Sequence, residues 1–119
     1  MKSLGDNYET RAVQWLQDQG LQLLVRNYKG KTGEIDIVAK DKNTLVFVEV
    51  RARNNRYFAS AAASVDRRKQ LRILRTAQLF LQRHPGLANM PCRFDVIAFE
   101  PRQSTTSPEI HWIRSAFTA

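Results

Sequence analysis

The sequence predicts an α/β fold: a mixed central sheet flanked by helices. The sheet comprises a three-strand antiparallel meander, a parallel fourth strand reached by a crossover helix, and an edge fifth strand. Three observations predict it. Residues 33–40 and 44–51 are rich in Val, Ile and Phe and are separated by the turn residues Asp41-Lys42-Asn43, the pattern of a β-hairpin. Ile73, Leu74, Ala77, Phe80 and Leu81 then recur at helical spacing. Residues 93–100 alternate again, with Phe94, Val96 and Ala98 on one face and Asp95, Ile97 and Phe99 on the other. A strand, a long helix and a strand in that order make a right-handed parallel crossover.

The elements follow in order. Asp6 or Asn7 caps a helix running to about Gln19, and Gly20 stops it. Its apolar stripe is Ala12, Val13 and Leu16, and Glu9 falls on the same stripe. A carboxylate there needs a partner, unless it only serves the helix dipole. Leu21–Tyr28 reads as the first strand, and Lys29–Gly33 as a glycine-bearing turn into the hairpin. Residues 52–63 lack a period. Arg53, Asn54, Asn55, Arg56, Tyr57 and Phe58 could grip phosphate and stack on a base, or pack inward as a connector.

Ser64 is the expected N-cap of the second helix, with Asp66 in its first turn. The helix ends at His84-Pro85-Gly86. Gln70 lies one turn before Ile73 and Leu74, so it is expected to be buried and to bond the hairpin carboxylates or water. Arg68, Arg72 and Arg75 fall on the opposite face, predicted to point away from any site on the hairpin. Asp95 is given a structural role. Residues 101–108 read as a polar loop, Glu109–Ile113 as a short edge strand and residues 115–119 as a fraying tail.

The hairpin register brings two acids together. A two-residue or a four-residue loop places Asp36 directly opposite Glu49, and Glu34 opposite Arg51. Opposed side chains share a face at roughly 5 Å. Two carboxylates at that distance repel by roughly 3 kcal/mol at an effective dielectric near 20. The other face should carry Ile35, Ile37, Val46, Val48 and Val50 into a core. An acidic pair held this way invites a cation, either a basic side chain or a hard divalent ion such as Mg²⁺ or Mn²⁺. It could also be an ordinary solvated face.

At 119 residues the chain reads as one domain, 1–119. No apolar run approaches a membrane span, no export signal is apparent, and the single cysteine cannot pair internally, so a cytoplasmic setting is expected. The net charge of +8 is localised. Residues 51–83 hold nine basic side chains against Asp66 alone, while the rest of the chain is balanced at ten and ten. Such a segment suggests a polyanionic partner, with nucleic acid favoured over a membrane surface.

Glu34-Ile35-Asp36 followed by Glu49-Val50-Arg51 resembles the metal-binding pattern of the PD-(D/E)XK nucleases. Over nearly its whole length the chain is similar to the YraN family of small bacterial proteins. That likeness lies in Gly33–Asp36, Phe47–Arg51, the Ala-Ala-Ala-Ser-Val of 61–65 with Lys69-Gln70, and Cys92–Val96. The resemblance implies a restriction-endonuclease-like fold and Mg²⁺- or Mn²⁺-dependent phosphodiester hydrolysis, on DNA rather than RNA, branched repair or recombination intermediates included. It implies Asp36, Glu49 and the Val50 carbonyl as metal ligands, with Glu34 as an alternative. Glu9 and Gln70 match helical positions of related nucleases. Arg51 would stabilise the phosphate, with Arg51, Arg53, Arg56, Arg67 and Lys69 binding nucleic acid. A homodimer would suit two cuts at a junction. Arg51 stands where the nuclease motif usually has Lys, and unlike lysine it stays charged. The alternative is therefore a non-catalytic nucleic-acid-binding module on the same scaffold, with a protein-interaction subunit as a third reading.

Overall fold

The computed structural model describes residues 4–52, 65–100 and 109–118. The elements are α1 (Leu4–Asp18), β1 (Gln22–Gly30), β2 (Gly33–Asp41), β3 (Thr44–Ala52), α2 (Arg67–Arg83), a short 3₁₀ turn (Pro85–Leu87), β4 (Cys92–Glu100) and β5 (Glu109–Phe117). The strands form one sheet in the order β1-β2-β3-β4-β5. β1, β2 and β3 make the antiparallel meander, β3 and β4 run parallel, and β5 returns antiparallel along β4. The expected mixed sheet is present in its expected order.

Each face of the sheet carries its own core. On one face Ala12, Val13 and Leu16 of α1 pack on Ile37, Ala39, Val46, Val48 and Ile97. On the other, Ile73, Ala77 and Phe80 of α2 pack on Val38, Leu45, Phe47, Val96 and Ala98. Strands buried on both faces explain the near-continuous apolar runs of β3 and β4. Asp66, not Ser64, caps α2: its side chain accepts from the Lys69 N–H at 2.8 Å. Ser64 lies outside the described residues.

The hairpin register is the one its loop chemistry dictates. Pairs run from Asp41–Thr44 to Ile37–Val48 across a two-residue turn in which Lys42 takes φ 55°. One expectation fails at the far end: Ile35 joins the α2-side core, not the face of Ile37. The cause lies in β1. Asn27 takes φ 56° between the Arg26–Ile37 and Tyr28–Ile35 pairs, which resets the side-to-side alternation on both strands. Tyr28 and Ile35 therefore face α2 together.

β5 is longer than expected, reaching Phe117 instead of ending near Ile113. Ser115 takes φ 50° where the register with β4 slips between Phe94 and Val96. The Asp95 carboxylate accepts the Ser115 N–H at 2.9 Å and holds this bulge. Beyond it, Phe117 stacks on Phe94 and Phe94 on Phe47, each at 5.3 Å, so the chain end is tied into the sheet.

The turn between β1 and β2 docks directly on α2. Thr76 is buried and donates its hydroxyl to the Arg72 carbonyl, so Thr32 donates to Thr76 across 2.7 Å. Gly33 takes φ 149°, and a Cβ there would stand 3.4 Å from Thr76 Oγ1 and 3.7 Å from Arg72 Cβ. The backbone angle is the dominant obstacle to a side chain. Gly33→Ala is expected to destabilise the fold by about 1–3 kcal/mol, read as a lowered thermal midpoint. An unchanged midpoint would show that the turn relaxes without cost.

Candidate metal centre

The β2–β3 ladder ends at Ile37–Val48, and Asp36 sits where the strands part. Its carboxylate takes the place of a strand partner, with Oδ2 accepting the Val50 N–H at 2.8 Å. Glu49 is buried beside it at 5 % exposure. Burial, and next the charge of Glu49, push the Asp36 carboxyl from its ordinary 3.8 up to about 8, against the opposing pull of the Val50 N–H. The charge of Glu9 and a hydrogen bond to the Glu49 side chain add to the rise. At neutral pH the pair therefore retains one proton, which relieves the repulsion between two close carboxyl groups.

Glu9 arrives from α1, on the stripe where its spacing puts it, and is buried at 8 % exposure. Its partner is Arg26 of β1, whose Nε lies 3.4 Å from Glu9 Oε1 and whose Nη2 donates to Thr10 Oγ1 at 2.7 Å. Glu49 is met from the other side of the site. Lys69 Nζ of α2 stands 2.6 Å from Glu49 Oε1, and Arg51 Nη1 stands 3.7 Å from the same oxygen. A cleft of about 200 Å³ opens beside these groups, lined by Gly33, Glu34, Asp36, Glu49, Lys69, Arg72 and Ile73.

The structure brings together Asp36, Glu49, Arg51, Lys69 and Glu9, with exposed Glu34 at the cleft rim. Gln70 is placed otherwise. Its Nε2 donates to the Val65 carbonyl at 2.9 Å and its Oε1 accepts from Arg67 Nη1 at 3.1 Å, so its amide braces the start of α2 instead of meeting the carboxylates. Arg67 also reaches the Thr118 carbonyl at 3.4 Å, on the side of the chain end. Arg72 corrects the expectation for the α2 arginines, because it lines the cleft. Arg53 and Arg56 lie outside the described residues. Among the described residues no group of three or more His, Cys, Asp or Glu side chains is close enough to cage an ion. The acidic donors of the cleft are therefore the Asp36–Glu49 pair, with Glu34 at its edge.

Comparison with known proteins places the chain in a family. A model of the uncharacterised protein family UPF0102 matches residues 8–99, an interval that contains Glu9, Asp36, Glu49, Arg51, Lys69 and Arg72. The chain belongs to the UPF0102 family. It is 50 % identical over 114 residues to a UPF0102 protein of Saccharophagus degradans, covering 96 % of this chain and 92 % of that one. It is 48 % identical over 113 residues to one from Pseudomonas putida, covering 95 % and 91 %. A UPF0102 protein of Alcanivorax borkumensis is 46 % identical over 116 residues, covering 98 % and 92 %. The YraN likeness thus holds at the level of the family. No helix among the described residues of this UPF0102 protein is long and apolar enough to cross a membrane.

Sequence reasoning missed the placement of Lys69 and Arg72 in the UPF0102 cleft. The buried face of α2 is centred on Ile73, Thr76, Ala77 and Phe80. Lys69 precedes Ile73 by four residues and Thr76 by seven, so it shares that face as fully as Gln70 does. Counting Thr76 as a core residue would have shifted the stripe toward Lys69.

Proposed function

We propose that this UPF0102 protein is a Mg²⁺- or Mn²⁺-dependent nuclease that hydrolyses phosphodiester bonds in DNA on a restriction-endonuclease-like scaffold. The observation that carries the reading is the pair of half-buried Asp36 and buried Glu49, set where two strands part and opening on a cleft lined by Lys69 and Arg72. The donor set fits such an ion. Mg²⁺ takes hard oxygens, keeps several waters and commonly uses one or two carboxylates with the substrate's phosphates, so two carboxylates suffice without a closed cage. The N–H and C=O of one residue in an extended strand project to the same edge, which directs the Val50 carbonyl toward Asp36 as a third oxygen. When bound, the ion supplies an acidified water and positive charge at the phosphate.

The chain's own groups have separable tasks. Asp36 gives up its proton for the pair to hold a cation. Arg51 keeps a fixed positive charge beside Glu49, suited to a phosphate gaining negative charge. Glu9, held by Arg26, keeps a further carboxylate near Asp36 to orient water. Arg72, with the basic run around it, meets the polyanion at the cleft rim. The nuclease resemblance points to DNA, branched intermediates included, and to a homodimer where two cuts are needed; the single cysteine suits a reducing, cytoplasmic setting.

A panel of branched, single-stranded and duplex DNA incubated with Mg²⁺ or Mn²⁺ tests the reading. Cutting that requires the metal and is lost in Asp36→Ala is expected. No cutting of any substrate contradicts it. One observation favours a binding module instead: Lys69 already neutralises Glu49, and Arg51 cannot lose its proton to act as a base. DNA binding without cleavage, unaltered in Asp36→Ala, supports that second reading. In both, affinity should fall steeply with salt because phosphate contacts release counterions. Salt-insensitive binding contradicts both.

A further inference from the structure

We propose that Lys69 is a counter-cation built into the carboxylate site: it holds Glu49 until a divalent ion takes its place, and is then released to the substrate phosphate. The inference rests on the nuclease reading and adds to it a coupling between the ion and the nucleic acid.

Glu49 belongs to a buried strand and is 5 % exposed, so it cannot move to meet an ion. Lys69 can move. Its side chain is 38 % exposed and ends a flexible four-carbon stem, while its backbone stays fixed because its N–H is the one that Asp66 caps. Its Nζ lies 2.6 Å from Glu49 Oε1, full contact for a charge-assisted hydrogen bond. Arg51, at 3.7 Å from the same oxygen, is beyond that range.

A Mg²⁺ ion bonds carboxylate oxygen at about 2.0–2.1 Å. With the ammonium still at 2.6 Å from that oxygen, two positive centres would stand only about 4 Å apart, and their repulsion favours departure of the lysine. The displaced ammonium stays at the same cleft, where Arg72 also lies. Ion binding thus converts an internally neutralised lysine into a hydrogen-bond donor available to a phosphate in that cleft. Nucleic acid that engages the freed lysine must in turn tighten the ion, because coupling between two ligands is reciprocal.

Calorimetric titration of Mn²⁺ into the full chain tests this without reference to turnover. Lys69→Gln removes the competitor and keeps a good helix former, with Asp66's backbone cap intact. It is expected to bind Mn²⁺ about fivefold more tightly than wild type or tighter, while Lys69→Arg, which keeps a competing cation, stays near wild type. Addition of Mn²⁺ should strengthen wild-type binding to a phosphorothioate duplex oligonucleotide, and this gain should shrink to less than about twofold in Lys69→Gln. A lysine that merely braced α2 against β3 would give the opposite sign, with weaker Mn²⁺ binding in Lys69→Gln. Equal or weaker binding there, with wild type binding Mn²⁺, overturns the inference and leaves the nuclease reading intact. No Mn²⁺ binding by wild type, with Asp36→Asn behaving identically, overturns both.

Discussion

Asp36→Asn should lower DNA cleavage by at least about 10²-fold and at the same time stabilise the metal-free protein above neutral pH. The two effects have one origin. In the fold the Asp36 carboxyl titrates at about 8, against an ordinary 3.8. Below about pH 4 both folded and unfolded chains carry the proton, and the contribution to stability is fully present. Between pH 4 and 8 only the fold retains it, so rising pH removes stability across that window, and the loss is complete once the folded group ionises. Asparagine keeps an oxygen for the Val50 N–H and never ionises beside Glu49. Thermal midpoints measured with a chelator from about pH 5 to pH 9 should fall away in the wild type relative to Asp36→Asn. The variant should lead by roughly 5 °C or more at the alkaline end, the shift expected for about 1–2 kcal/mol in a domain of this size. Parallel pH profiles would show that the pair carries no trapped proton. The same proton must leave when an ion binds, so metal affinity should increase with pH up to about 8.

The second large effect belongs to Asp95. It is completely buried opposite Val48, and three donors converge on it: Arg93 Nε at 3.2 Å to each oxygen, Trp112 Nε1 at 2.9 Å and the Ser115 N–H at 2.9 Å. Asp95→Leu leaves the Arg93 guanidinium with Asp41 at 3.0 Å as its remaining acidic partner, orphans the indole N–H, and frees the bulge that carries β5 to Phe117. Breaking a buried charge pair in this way costs about 3–5 kcal/mol, and the thermal midpoint should fall by more than about 10 °C. Amide exchange should rise first at Ser115 and Phe117. Asp95→Asn keeps an acceptor and should cost less. Equal stability of Asp95→Leu and wild type would mean that the apolar packing of β5, through Phe94 and Phe117, is sufficient by itself.

The parts of this architecture written in local chemistry were readable before any coordinates. Asp41-Lys42-Asn43-Thr44 sets the hairpin register as far as Ile37–Val48, and residues 36 and 49 follow directly at its open end. The Glu9 spacing on α1 puts a carboxylate among Ala12, Val13 and Leu16, and the structure buries it there. What could not be read depends on contacts between distant segments. Asn27 is not a glycine, so nothing in β1 announces the left-handed residue that sends Tyr28 and Ile35 to the α2 face. Ser115 looks like the end of a strand, because its N–H is satisfied from Asp95, twenty residues earlier. Gln70 and Lys69 precede Ile73 by three and four residues, and helical periodicity treats both as neighbours of that face. Which one reaches Glu49 is decided by how α2 lies on β2 and β3. The Thr32–Thr76 contact and the bare backbone of Gly33 set that placement.

The position of a bound divalent ion is the most direct measurement. Crystals soaked in Mn²⁺ and measured at the manganese absorption edge should show an anomalous peak within roughly 2.3 Å of carboxylate oxygens of both Asp36 and Glu49. A map with no peak between those two side chains, at a concentration that saturates binding in solution, would contradict a metal site at Asp36 and Glu49.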